Sequence, residues 1–128
     1  MRYTWARPLP DEMVLLGLRR GMSAWIREVW LQDGEQPLVF ARSVLPRSSL
    51  RGAWRGLGRL GARPLGAALF ADAHVVRSPL AYRKLHPRHA ILGNVLLQKP
   101  LWARRSVFMR EGRAILVTEV FLPAVLKL

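Results

Sequence analysis

The sequence predicts an α+β fold: a single antiparallel β-sheet with helices packed on one face. Three observations predict it. Residues 24–32 and 38–45 are apolar runs flanking Asp33-Gly34, and residues 102–110 and 113–122 flank Glu111-Gly112 in the same way. Two runs joined around Asp-Gly or Glu-Gly read as antiparallel hairpins. Between these hairpins lie helical patterns, and strands, then helices, then strands is the α+β order.

Taken along the chain, residues 1–23 give no periodicity beyond Pro10-Asp11-Glu12. These can open a short helix through Val14, Leu15 and Leu18, stopped by Gly21. Residues 24–32 are rich in Trp, Ile and Val and contain neither Pro nor Gly, which suits a strand. Residues 33–37, with Asp33-Gly34 at their start, connect it to the next strand, which Pro46 closes. Ser48-Ser49 can cap a helix through Leu50, Trp54 and Leu57, weakened by four glycines between Gly52 and Gly61. A second short helix is expected over 64–70, with Pro64 in its first turn. A short strand follows at 75–78, then loop over 86–99 with a helical turn at 90–95. The second hairpin ends at Pro123.

At 128 residues the chain forms one domain, spanning 1–128, and a domain of this size buries roughly two thirds of its unfolded surface. Apolar residues are 51% and charged residues 23%, a globular balance rather than a disordered one. The absence of cysteine excludes disulfides, zinc–thiolate sites, iron–sulfur clusters and thiol nucleophiles. His74, His86 and His89 show no tight ligand spacing, so no metal is expected. No apolar run reaches the 18 or so residues that span a bilayer, and the first residues lack a signal-peptide profile. The expected setting is the cytoplasm.

Lys and Arg number 21 against 8 Asp and Glu, a net charge of +13. Eighteen of the 21 are Arg. A pI near 11.8 raises nucleic acid as a partner, but the arginines are scattered, and a positive field attracts small anions equally well.

Alternation along the strands places charge where apolar side chains are expected. Glu119 shares a face with Ile115, Val117 and Phe121. Arg27 shares one with Trp25, Val29 and Leu31, and Arg42 sits among Leu38, Phe40 and Val44. A carboxylate in such a place is costly unless paired, whereas a guanidinium suits bidentate contact with a carboxylate. An anion site lined by arginine, with a carboxylate across from it, would account for all three. The structural alternatives are a buried salt bridge for Glu119 and snorkelling side chains for the arginines. The start of the helix at Pro64-Leu65-Gly66 offers backbone N–H groups to an anionic oxygen. Arg104 and Arg105 fall on opposite faces and cannot line one groove; one of them is expected to face solvent.

Five blocks then resemble chorismate lyase of bacterial ubiquinone synthesis. They are Trp25-Ile26-Arg27-Glu28-Val29, Ala41-Arg42-Ser43-Val44-Leu45-Pro46, Arg63-Pro64-Leu65-Gly66 with Leu69-Phe70, Leu101-Trp102-Ala103-Arg104-Arg105-Ser106, and Leu116-Val117-Thr118-Glu119-Val120-Phe121-Leu122-Pro123-Ala124. They occur in the family's order across residues 24–124. The resemblance implies a sheet of about six strands, an enclosed site, and cleavage of chorismate to 4-hydroxybenzoate and pyruvate without metal or organic cofactor. It implies Arg27 on the ring carboxylate, the backbone N–H of Leu65 assisting, Glu119 at the 4-hydroxyl as the catalytic carboxylate, and Arg42 near the substrate. Family members carry several tens of residues ahead of the matched region, so the resemblance implies a chain lacking that N-terminal part. In the family a Gly often precedes the position of Arg42, in a flap over the site; here it is Ala41, which would stiffen such a flap. The expected partners are chorismate and 4-hydroxybenzoate, with no nucleic acid, and the expected form is a monomer. The alternative function is a non-catalytic domain of the same fold that binds a small aromatic acid.

Overall fold

The computed structural model describes residues 2–52, 54, 69, 74–78, 81–85 and 100–124. In chain order these form β1 (Arg2–Ala6), α1 (Pro10–Leu16), β2 (Ala24–Asp33), β3 (Gln36–Pro46), α2 (Arg47–Arg51), β4 (Val76–Arg77), β5 (Ala81–Leu85), β6 (Leu101–Arg110) and β7 (Arg113–Phe121). All strand pairings are antiparallel, in the order β1-β2-β3-β7-β6-β4, and β5 also pairs with β6. The described residues thus give seven strands, one more than the resemblance implies.

Both hairpins close on two-residue turns. Asp33 pairs with Gln36 across Gly34-Glu35, and Arg110 pairs with Arg113 across Glu111-Gly112. Gly34, Glu111 and Gly112 have φ of 61°, 53° and 75°, the left-handed backbone that tight hairpin turns require. The β2–β3 ladder then slips by one residue at Leu31/Gln32. This bulge decides which side chains share a face.

β3 and β7 are central and buried on both sides. On one face, Ala24, Ile26, Val44 and Leu116 form a core cluster against which Leu16 of α1 packs. On the other, Leu45, Trp54, Leu69, Phe108 and Ile115 pack with Trp25 and Leu50 of α2. The described helices therefore lie on opposite faces, whereas one face was expected. A sheet whose centre is apolar on both sides needs cover on both. The start of β7 is pinned to α2 and its continuation, because Ser49 Oγ donates to the Ala114 carbonyl and Trp54 Nε1 to that of Arg113, each at 2.8 Å.

α1 ends at Gly17, not at Gly21. Gly17 has φ 65° and donates its N–H to the Val14 carbonyl, while Leu18 donates to Met13, a left-handed cap that releases the chain. The helix expected over 64–70, the 86–99 loop and the Leu57 end of the preceding helix lie outside the described residues, apart from Leu69, which is helical. Among the described residues no helix is long and apolar enough to cross a membrane.

Candidate active site

Register places Arg27 and Glu119 on one face of the sheet. Arg27 stands opposite Ser43, which stands opposite Val117; Glu119 lies two residues further along β7, between Ala41 and Arg104. Two strand spacings and two residue rises put their Cα atoms roughly 12 Å apart. On that face Ala41 and Ser43 of β3 and Val117 of β7 lie between them, with Ser106 of β6 beyond Val117.

The Arg27 end is buried, with 6% of the residue exposed. Its Nε donates to the hydroxyl of Tyr3 at 3.3 Å, and the Tyr3 ring stacks on Trp25 with centroids 5.1 Å apart. β1 thus contributes a side chain that orients the guanidinium. Nothing in the first 23 residues as a sequence singles out Tyr3, because its contact depends on β1 pairing with β2.

At the other end, Arg104 Nε donates to Glu119 Oε1 at 2.7 Å and Nη2 to Oε2 at 3.2 Å. The hydrogen bonds to Glu119 hold the Arg104 guanidinium pKa above its ordinary value, against the opposing effect of burial; the charge of Glu119 and the neighbouring Tyr82 add to the rise. Arg104 also stacks over Phe121, 5.5 Å from its ring centroid. So the misplaced carboxylate has an arginine partner, and the pair is partly open, with side-chain exposures of 36% and 25%.

Arg42 is not part of this group. The bulge at Leu31/Gln32 sets it opposite Glu28 and Thr118, on the face away from Arg27 and Glu119. There its Nε and Nη2 donate to Glu12 at 2.8 Å each, and Nη1 to Glu28 at 3.5 Å. Burial works against the charge on Arg42, yet the hydrogen bonds and charges of Glu12 and Glu28 outweigh it, leaving the guanidinium pKa raised. A single anion site embracing all three charges does not form, since the sheet separates Arg42 from the other two. Leu65 lies outside the described residues. Arg105, on the same face as Arg42, binds Asp11 at 2.7 Å and Thr118 at 2.8 Å. Arg104 is the more open of the two, with 36% of its side chain exposed against 19% for Arg105, and each has an acidic partner.

The chorismate lyase family profile matches residues 2–127. The chain belongs to the chorismate lyase family. Among curated relatives, a "Probable chorismate pyruvate-lyase" of Aromatoleum aromaticum is 53% identical over 130 residues, covering 96% of this chain and 70% of that protein. One of the same name from Nitrosomonas europaea is 48% identical, covering 92% and 69%. Among solved structures, the PhnF C-terminal domain superposes with a TM-score of 0.68 at 15% identity, covering 94% of this chain and 79% of that one. That likeness concerns the fold alone.

Proposed function

We propose that this protein is a chorismate lyase, converting chorismate to 4-hydroxybenzoate and pyruvate as the entry step to ubiquinone. The observation that supports it most is the pairing of family membership with Arg27 and Glu119 on one face of the sheet. In this reading Arg27 binds the ring carboxylate, and Glu119 accepts a hydrogen bond from the 4-hydroxyl. Each carboxylate oxygen has more than one lone pair, so Glu119 can do this while bound to Arg104. The backbone N–H of Leu65 assists at the ring, on the strength of the family resemblance. Arg42 acts from the other face, by holding the sheet to α1.

The chemistry asks little of these groups. The C3–O bond to the enolpyruvyl group breaks, C4 loses its proton, and the freed electron pair completes the aromatic ring. The leaving enolpyruvate takes up a proton and becomes pyruvate. Atoms and electrons balance without an oxidant. Aromatisation makes the step strongly downhill, so positioning the dianion and excluding water supply most of the acceleration. The net charge of +13 favours capture of a dianion.

Incubation of the purified protein with chorismate should yield 4-hydroxybenzoate and pyruvate in equal amounts. A folded protein that binds 4-hydroxybenzoate but forms none of it would instead be a binding domain. Glu119→Gln keeps the shape and one hydrogen bond but removes the charge. It should lower kcat roughly 100-fold or more, the range for losing a positioned acid–base side chain, with a smaller rise in KM. Full kcat in that variant would remove Glu119 from the reaction.

A further inference from the structure

Among the described residues two arginine–glutamate pairs are bidentate, Arg42 with Glu12 and Arg104 with Glu119, and they differ in exposure. Arg42 and Glu12 are sealed, with side-chain exposures of 11% and 0%. Arg104 and Glu119 are not, at 36% and 25%. The sealed pair does a structural job, joining α1 to β3. The open pair joins directly opposed residues of adjacent strands, β6 and β7, which the ladder already holds together. Its guanidinium also lies on the face that carries Arg27.

We propose that Arg104 is a specificity-determining residue that binds the second carboxylate of the substrate, the one carried by the enolpyruvyl group. The inference rests on the reading above and deepens it. Chorismate bears its ring carboxylate at C1, its enolpyruvyl ether at C3 and its hydroxyl at C4. With C1 directed to Arg27 and the 4-hydroxyl to Glu119, the C3 substituent lies beside the hydroxyl and therefore beside the partner of Glu119. A bare carboxylate there would repel the incoming enolpyruvyl carboxylate. Arg104 cancels the charge of Glu119 and presents a planar fork suited to a second carboxylate. A guanidinium has five N–H donors, of which the Glu119 contacts use two. Tyr82, opposite Arg104 on β5, is a further hydrogen-bond partner of the guanidinium, which still leaves donors for a second carboxylate. After cleavage the second carboxylate leaves with pyruvate. Arg104 then contacts substrate but not 4-hydroxybenzoate, whereas Arg27 contacts both.

Two inert ligands isolate this contact. In 3-(carboxymethoxy)-4-hydroxybenzoate an ether-linked carboxylate stands beside the 4-hydroxyl, and 3-ethoxy-4-hydroxybenzoate has the same outline without that charge. Calorimetric Kd values for both should show wild-type protein preferring the dianion. Arg104→Gln should cut that preference at least tenfold, and Arg104→Lys, which keeps a charge but not the fork, should fall between. Arg110→Gln removes the same charge from the far end of β6 and should leave the preference unchanged. If Arg104→Gln weakens both ligands equally, Arg104 only positions Glu119 and the inference is overturned. A loss of preference as large in Arg110→Gln would reduce it to long-range charge and overturn it too. Failure of the folded wild-type protein to bind either ligand would instead defeat the reading of this face as the substrate site, and the inference with it. Should Arg104→Gln not fold, the Lys variant decides alone: an unchanged preference overturns the inference.

Discussion

Arg42→Met should lower the unfolding free energy by about 3–5 kcal/mol, the usual consequence of stranding one member of a buried ion pair. Glu12 is fully buried, and its carboxylate has two classes of partner: the Arg42 fork and the backbone N–H of Leu9 at 2.8 Å. Removing Arg42 leaves a carboxylate with one amide hydrogen bond in an apolar setting. The same carboxylate caps the first turn of α1, so the damage spreads to the helix end. Glu12→Gln combined with Arg42→Met should recover part of the loss, because an amide can keep the Leu9 contact without a buried charge. Urea denaturation of the two single variants and the double variant gives the coupling, expected at about 1–3 kcal/mol. A loss below about 1 kcal/mol for Arg42→Met, the range of a surface pair, would show that this pair is not what ties α1 to the sheet.

The two hairpins were legible because their signals are local. Gly34 and Gly112 supply the left-handed backbone of the turns, and the apolar runs on either side need only fold back on each other. Once the turn at Glu111-Gly112 is recognised as two residues long, the pairing of Arg104 with Glu119 follows by counting outward from Arg110 and Arg113. The partner of the misplaced carboxylate was therefore readable, though only through the turn. The same count fails in the first hairpin. An unbroken ladder from Asp33 and Gln36 would set Arg27 directly opposite Arg42, on one face. The slip at Leu31/Gln32 moves Arg42 one place, opposite Glu28, and a one-residue slip reverses the face of every later side chain. No residue at 31 or 32 announces it. β1 and β5 were illegible for another reason. Each is five residues long with mixed side chains, and each becomes a strand by pairing with a neighbour, β2 or β6, whose register the local sequence does not contain. Gly17 and Gly21 both have positive φ, 65° and 87°, so either could end α1. The first to be reached does so, because Gly17 and Leu18 satisfy the last helical carbonyls.

Arg27→Ala should weaken binding of 4-hydroxybenzoate and raise KM for chorismate by about 2–5 kcal/mol, the range for removing one partner of a desolvated charge pair. In affinity that is roughly a 30-fold to several-thousand-fold loss. Burial makes the effect large: at 6% exposure the guanidinium meets a carboxylate away from competing water. Its direction comes from the chemistry. The ring carboxylate does not react, so Arg27 holds it equally in substrate, transition state and product, and uniform binding of this kind appears in KM rather than in kcat. Tyr3 gives an internal check, since its hydroxyl accepts from Arg27 Nε and orients the fork without touching the ring carboxylate in this reading. A structural role for Arg27 predicts the opposite pattern. The melting temperature would fall, because Arg27 ties β1 to β2 through Tyr3, while KM and kcat per folded molecule would stay near wild type. Calorimetric titration with 4-hydroxybenzoate, steady-state kinetics and thermal melting of the same variant separate the two. An Arg27→Ala protein that melts lower yet binds 4-hydroxybenzoate as tightly as wild type would assign Arg27 to the sheet and leave the ring carboxylate to another group.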